Sequence, residues 1–166
     1  MSNGGIGVTY IINQRTQAIT SIETNYYRTI IYEENDIIYE TATPMEILAE
    51  SCLYYGSAYE GRKELSRKIL KSNSKLPFVI DPDLGIFFMP TTSHRNHSCA
   101  WFSYFHIKDF IQLQDKLAVK LNNDQIIYVN VSQNQFDQQM KRTSQVIAYF
   151  YKLYITQNKM VLFISD

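Results

Sequence analysis

PFVIDPDLGIFFMP, residues 77–90, decides how this chain folds. Two short runs of apolar residues, 78–80 and 86–89, lie on either side of the segment DPDLG. Phe, Val and Ile favour extended strands, whereas Asp, Pro and Gly favour chain reversal. Pro77 and Pro90 lack a backbone donor and close off both ends of the unit. The pattern predicts an antiparallel hairpin, so β-sheet is the organising element of the fold.

Upstream of this hairpin, residues 1–43 are predicted to be rich in strands. Runs of β-branched and aromatic residues alternate with polar turns. The predicted strands are 8–12, 18–22, 27–32 and 37–39. A helix is expected next, because Thr43 can cap it, Pro44 suits its first position and Glu46 completes a capping box. Gly56 is the predicted stop.

Downstream, residues 64–71 fit a helix with basic residues on one face, but the segment is too short for periodicity to exclude a strand. Ser132 can cap a long final helix with an apolar stripe. The other predicted elements are a strand at 100–107, a second hairpin at 116–121 and 125–131, the final helix at 133–157 and a short apolar run at 160–164 that is compatible with a strand.

These elements predict an α+β fold in which antiparallel β hairpins pack with two main helices, without a helix-turn-helix. The hydrophobic fraction of 45% is enough for a packed core. We expect one compact domain over residues 1–166. Its parts are a strand-rich segment at 1–43, an α+β segment at 44–131 and a C-terminal helix at 132–157.

The neutral net charge hides two halves of opposite sign. Residues 1–60 hold two basic and eight acidic side chains, whereas residues 61–166 hold fourteen basic and eight acidic ones. Neutrality taken alone argues weakly against a nucleic-acid partner. The asymmetry points instead to a basic surface confined to the second part of the chain.

Cysteine usage and hydropathy indicate a cytoplasmic protein. Cys52 and Cys99 are the two cysteines, they are far apart, and no CxxC occurs, which suits reduced thiols. The first residues lack the basic and apolar regions of a secretory signal. The longest nearly apolar run, 146–155, is interrupted by Lys152 and is too short to cross a bilayer. We therefore expect no membrane partner.

Two stretches resemble the ComK family of bacterial competence transcription factors. Residues 50–63, ESCLYYGSAYEGRK, are similar to the family segment in which a helix ending in Ser-Cys and two aromatics runs into Gly-Ser-x-Tyr-x-Gly-Arg-Lys. The blocks PFVIDP, IFFMPT, SCAWFS and HIKDF follow between residues 77 and 110, in the family's order and spacing. The likeness covers about residues 45–150 and weakens towards the final helix.

The resemblance implies a transcriptional activator of DNA-uptake genes that works without catalysis or cofactor. Family members are understood to bind paired AT-rich promoter boxes, largely through the minor groove, as dimers that pair into a tetramer. The partners implied are therefore AT-rich double-stranded promoter DNA, further copies of the chain, RNA polymerase, and an adaptor that delivers the protein to a Clp protease. A cytoplasmic, nucleoid-associated location follows from the same resemblance.

The candidate DNA contacts lie mainly in the most basic window, residues 62–75, where Glu64 is the single acid. The minor groove of an A-tract is narrow and has an enhanced negative potential, so it attracts inserted Arg and Lys. The competing interpretation is that the charge run is a solvated face. The predicted contacts are Arg62, Lys63, Lys71 and Lys75, which match the family pattern, together with Arg67, Lys68 and Arg95.

Two other functions stay open. The chain ends sooner after the final helix than the family leads us to expect, so one alternative is a truncated paralogue that acts as an interaction or decoy protein without strong DNA binding. The other is a small Cys/His enzyme, because His94, His97, Cys99 and His106 are of metal-ligand or nucleophile–base type. No hydrolase, zincin or phosphate-loop motif supports it, and we predict no catalytic residue and no metal site.

Two apolar features have competing interpretations. Trp101 lies among alternating apolar residues, which favours a core anchor over a platform for base stacking. The end of the final helix, beyond Val146, is apolar almost all round. It fits the core and a subunit interface equally well.

Overall fold

The computed structural model describes residues 9–157 and contains two antiparallel sheets and three α-helices. The helices are α1 (Pro44–Tyr54), α2 (Tyr59–Leu70) and α3 (Gln133–Gln157). The strands are β1 (Thr16–Ser21), β2 (Thr29–Glu33), β3 (Ile37–Glu40), β4 (Phe78–Asp81), β5 (Ile86–Pro90), β6 (Ala100–Ser103), β7 (Ile107–Gln112), β8 (Leu117–Leu121) and β9 (Ile126–Val129). The predicted α+β class is confirmed.

The larger sheet has six strands in the order β3-β2-β1-β6-β5-β4, and the smaller has the order β7-β8-β9. The predicted 77–90 hairpin is present as β4 and β5, with Phe78 opposite Phe88. Gly85 closes its turn with φ 72°, a left-handed conformation that favours glycine. The second predicted hairpin is also present, as β8 and β9.

Helix α1 begins with the predicted capping box. Thr43 Oγ1 accepts a hydrogen bond from the Glu46 amide at 3.2 Å, and the Thr43 amide donates to Glu46 Oε1 at 3.1 Å. The helix ends before Gly56, whose φ is 86°. Its inner face buries Ile47 and Cys52, so α1 covers one face of the six-stranded sheet.

The ambiguous segment 64–71 is the second part of α2, so a third helix joins the two predicted ones. Its one fully buried residue, Ser66, donates from Oγ to the carbonyl oxygen of Pro77 at 3.1 Å. This bond fixes α2 against the start of the β4–β5 hairpin. Helix α2 ends at Leu70, and the capping residue Lys71 has a left-handed backbone with φ 52°.

Of the predicted strands, the one at 8–12 is absent over its described residues and the one at 100–107 is too long. Residues 9–12 form no strand, and the main chain of Ile12 instead bonds to side chains in and just after α1: its amide donates to Ser51 Oγ, and its carbonyl accepts from the Tyr55 hydroxyl. The strand predicted at 100–107 ends at Ser103. A 3-10 turn at Tyr104–His106 then directs the chain from the larger sheet into the smaller one. Residue 8 and the apolar run at 160–164 lie outside the described residues.

Helix α3 packs on the face of the six-stranded sheet opposite to α1. Ser132 and Gln135 form a capping box at its start, and Phe136 is fully buried at 5.7 Å from Phe102, between the ring centroids. From Tyr151 onwards every described residue of α3 is exposed. Over residues 9–157, no helix combines the length and hydropathy required to cross a membrane.

Candidate nucleic-acid interface

A surface cavity of about 240 Å³ lies where the first turn of α2, the loop before β4 and the loop after β5 meet. We call it the basic cavity. Among residues 9–157, its charged lining consists of Arg62, Lys63, Lys75 and Arg95, with His94 beside them, and contains no carboxylate. The remaining lining residues are Met45, Tyr59, Asn73, Ser74, Leu76, Pro77, Phe78, Pro90, Ser93 and Trp101.

The loop at residues 71–75 forms one wall of the basic cavity and is held by α3. Arg142 donates from Nη2 to the Ser74 carbonyl at 2.8 Å and to Ser72 Oγ at 3.2 Å. Gln139, which is 3% exposed, donates from Nε2 to the carbonyls of Lys75 and Pro90 at 3.0 and 2.8 Å. Burial lowers the pKa of Arg142 from its usual value, but the group stays charged at neutral pH. The wall is therefore held by several hydrogen bonds from α3, most of them partly buried.

The opposite wall is the loop at residues 91–99, which we call the tip loop. The Asn96 amide donates to the Ser93 carbonyl at 2.9 Å, and the Cys99 amide donates to the Asn96 carbonyl at 3.0 Å, so two tight turns follow each other. At the base, the Thr91 amide donates to the Ala100 carbonyl at 2.9 Å. Residues 94–97 are all exposed.

Three of the predicted contact residues line the basic cavity, and within residues 9–157 their side chains form no ion pair with a carboxylate. Lys63 Nζ lies 5.8 Å from the centroid of the Tyr59 ring, and burial raises the pKa of that tyrosine, so its hydroxyl remains a donor. Lys75 and Arg95 line the same cavity. Among residues 9–157, none of these three cations forms an ion pair.

Arg62 lines the cavity but is engaged elsewhere. Its guanidinium carbon lies 5.7 Å from the centroid of the Phe150 ring on α3, and its Nε is buried without a hydrogen-bond partner in the described structure. No local pattern predicts this contact, because Phe150 is far along the chain. Arg62 therefore contributes positive charge to the cavity while its side chain packs between helices.

The other predicted contacts lie outside the cavity lining. Arg67 pairs with Glu64, one helical turn earlier. Lys68 and Lys71 are exposed near the end of α2 and form no ion pair within residues 9–157. Of the seven predicted residues, the structure thus gathers Arg62, Lys63, Lys75 and Arg95 at one cavity and separates Arg67, Lys68 and Lys71 from it.

A second cavity, of about 440 Å³, lies on the other side of the tip loop. Arg28 lines it, and Trp101, His94 and Arg95 line both cavities. The one carboxylate in its described lining is Glu23, and Glu23 Oε1 lies 3.9 Å from His97 Nδ1. Arg28 was not among the predicted contacts, because it stands alone in the acidic part of the chain. Only the fold brings it next to residues 94–97.

The Cys and His residues do not assemble into a reactive centre in the described part of the chain. Burial raises the pKa of the Cys52 thiol to about 11 and also raises the pKa of Cys99, so both remain protonated and poorly nucleophilic. His106 contacts Ser103 instead, at 2.8 Å between Nδ1 and Oγ. No group of three or more metal-ligand side chains occurs in residues 9–157. Trp101 is 4% exposed and packs in the core, as predicted.

Comparison with known proteins places the chain in a family. The family model described as ComK protein matches residues 8–153, so the chain belongs to the ComK family. The chain is also similar to the competence transcription factor of Bacillus subtilis (strain 168), with 33% identity over 115 residues. That match covers 69% of this chain and 60% of the relative. No solved structure matches the chain with significance.

Proposed function

We propose that this protein is a sequence-selective DNA-binding activator of competence genes that binds AT-rich promoter boxes largely through the minor groove. The observation that carries the proposal is the basic cavity, where the described lining brings four cations together without a carboxylate. Membership of the ComK family and the name of the Bacillus subtilis relative support the gene class. We further propose that the protein acts in the cytoplasm and without catalysis.

The neutral net charge does not oppose this function. Phosphate contacts act locally, since each cation that meets a phosphate releases condensed counterions from the DNA. Lys63, Lys75 and Arg95 have no ion-paired carboxylate among residues 9–157, so no internal pair has to break before they meet a phosphate. The fold thus supplies a local excess of positive charge that the neutral net charge of the whole chain conceals.

We propose that the protein works as a homodimer or a tetramer, which would match paired boxes on the promoter. The exposed end of α3 supports a subunit contact: Tyr151 is 63% exposed and Leu153 is 38% exposed. Apolar surface of this kind is typical of protein interfaces. Contacts with RNA polymerase and with a Clp-protease adaptor, which the resemblance implies, stay predictions.

The test is a salt-dependent binding titration on an A·T-box duplex and a G·C-rich duplex of equal length. The wild-type protein should prefer the A·T duplex and lose affinity steeply with salt. Lys63→Ala/Lys75→Ala/Arg95→Ala should reduce the salt slope by about 2 to 3 and the affinity by about 100-fold, since about 0.9 of slope belongs to each phosphate contact.

A matched control removes the same charge elsewhere. Lys108, Lys116 and Lys141 do not line the basic cavity, so their triple alanine variant should bind almost as the wild type does. Circular dichroism should show both triple variants folded. Equal affinity of the wild type for both duplexes, or an unchanged slope in the cavity variant, contradicts the proposal.

A further inference from the structure

The tip loop is exposed at residues 94–98 and is held by local hydrogen bonds. Two successive turns, closed by the amides of Asn96 and Cys99, hold its outer part. At its base the Ala100 amide donates to Thr91 Oγ1 at 3.0 Å, and the Cys99 thiol lies 3.5 Å from the Thr92 carbonyl. Because these bonds are local and already made, ordering the loop against a ligand costs little conformational entropy.

The tip loop separates two cavities that each hold cations. Lys63 and Lys75 line the basic cavity on one side, and Arg28 lines the second cavity on the other. Arg95 is shared by both linings. In a minor groove, a floor of base edges lies between two rows of phosphates. The loop with a cationic cavity on each side is complementary to this arrangement. A duplex lying across the loop therefore presents one phosphate row to each cavity.

Groove width limits which element can enter. The minor groove is about 6 Å wide, too narrow for an α-helix, so α2 can only lie against the backbone. Arg62 on α2 is also packed on Phe150, and Arg67 is paired with Glu64. A single extended side chain from a tight loop meets no such limit.

Arg95 is the side chain in the tip loop with the chemistry to bind there. A guanidinium is more weakly hydrated than an ammonium and is favoured in narrow A·T minor grooves. Arg95 is exposed and has no ion pair among residues 9–157. The neighbouring Asn96 and His94 offer donors to the adenine N3 and thymine O2 acceptors.

We infer that Arg95 enters the minor groove and selects A·T over G·C, while Lys63 and Lys75 bind phosphates of one strand and Arg28 binds a phosphate of the other. The inference rests on the proposed function, since it assigns roles within the same DNA-binding surface. It adds Arg28 to the interface and separates one residue that reads sequence from three that supply affinity.

The test uses four duplexes whose boxes consist of A·T, inosine·cytosine, G·C or diaminopurine·thymine pairs. A·T and diaminopurine·thymine differ only in the minor groove, and so do G·C and inosine·cytosine. Inosine·cytosine pairs lack the minor-groove amino group of G·C, whereas diaminopurine·thymine pairs add that amino group to A·T. The wild-type protein should bind the A·T and inosine·cytosine boxes about 10- to 100-fold more tightly than the G·C and diaminopurine·thymine boxes, because each well-read base pair is worth about 1–3 kcal/mol.

Variants at Arg95, Lys75 and Arg28 distinguish base reading from phosphate binding. Arg95→Ala and the larger Arg95→Gln should both reduce the preference to less than about 3-fold, and Arg95→Lys should be intermediate. Lys75→Ala and Arg28→Ala should weaken binding to all four duplexes by a similar factor and keep the preference for A·T and inosine·cytosine boxes. Since Arg28 and Arg95 are exposed, their variants should have the same midpoint of denaturant unfolding as the wild type.

Failure of the inference can be told apart from failure of the proposed function. If the wild-type protein prefers A·T boxes and Arg95→Ala keeps that preference, the role of Arg95 is overturned while the function stands. A wild-type preference for diaminopurine·thymine over inosine·cytosine places the reading in the major groove and also overturns it. A wild-type protein that binds none of the duplexes overturns both.

Discussion

Arg142 Nη1 donates a hydrogen bond to the main-chain carbonyl oxygen of Lys75 at 3.1 Å. The contact joins the middle of α3 to the loop that forms a wall of the basic cavity. Gln139 accepts from the same guanidinium and donates to the same carbonyl, so the three residues form a closed network. Arg142 itself is occupied by these bonds and acts as a positioning residue for Lys75.

Arg142→Ala is expected to lower the free energy of unfolding by about 2 kcal/mol, because acceptors on Ser72, Ser74 and Lys75 lose a charged donor. A·T and G·C duplexes should both bind more weakly, by a similar factor. Arg142→Lys should restore only part of the loss, since one ammonium cannot replace a planar fork. Urea unfolding and duplex titration measure these effects.

The control for this network is Lys141→Ala. Lys141 is the neighbour of Arg142 on α3 and is exposed, and within the described part of the chain its one ion pair is with Asp137, one turn away. Such a surface pair is worth at most about 0.5 kcal/mol. Equal effects of Lys141→Ala and Arg142→Ala on stability contradict the positioning role.

The contact between Arg62 and Phe150 predicts a measurable coupling between α2 and α3. Arg62→Ala and Phe150→Leu should each destabilise the fold, and the double variant should lose less than the sum, with a coupling of about 0.5–1 kcal/mol. A double-mutant cycle by urea unfolding gives this value. Additive losses show that the guanidinium does not interact with the ring.

His106 predicts a loss of stability in mild acid. Burial lowers its pKa below the usual 6.5, against the smaller raising effects of the Glu34 charge and of a hydrogen bond to the main chain of Gln14. The unfolded chain therefore binds the proton more readily than the native protein. Stability from this group is present above about pH 6.5 and is lost as the pH falls through the lowered pKa.

His106 can be tested by urea unfolding between about pH 7.5 and about pH 5, where each unit of pKa difference corresponds to about 1.4 kcal/mol. His106→Asn should flatten the profile in this range. The exposed His94 provides the control, and His94→Gln should leave the profile unchanged. An NMR titration that places the His106 pKa above 6.5 contradicts the assignment.

The end of α3 predicts self-association through its last two described turns. Tyr151→Glu/Leu153→Glu should give a folded monomer, whereas the wild type should sediment as a dimer or larger, because two buried charges without partners oppose an apolar contact. Lys152→Glu is the control, since it changes charge in the same turn without removing apolar surface. Phe150 is unsuitable for this test because it packs on Phe87 and Arg62 within the chain.

A retained dimer in Tyr151→Glu/Leu153→Glu overturns the assignment of the interface to α3. Analytical ultracentrifugation over a range of concentrations distinguishes the two results. The same samples should show unchanged circular dichroism, because both side chains are exposed in the monomer.

Elements with strong local signals were predictable from the sequence. The β4–β5 hairpin, the capped start of α1 and the span of α3 follow from turn residues, caps and periodicity. The 3-10 turn at Tyr104–His106 was not, since it depends on side-chain and main-chain contacts made by His106 with Ser103 and Asn122. Tertiary contacts override strand propensity there.

The basic cavity was only partly predictable. A charge count located Lys63 and Lys75 in one window and gave no reason to separate them from Lys68 or Lys71. Which of them meet depends on where α2 ends and how the following loop turns. Arg28 comes from a distant, acidic part of the chain, so no local pattern connects it with the tip loop.

The loop that carries Lys75 places two lysines in left-handed backbone, with φ 52° at Lys71 and 53° at Lys75. Glycine adopts this conformation freely, whereas a residue with a Cβ loses roughly 1 kcal/mol. At Lys75, which lines the basic cavity, the fold and the proposed DNA ligand thus make opposite demands: the backbone favours glycine, and a polyanion favours lysine. A change that improves stability at this position should therefore diminish affinity.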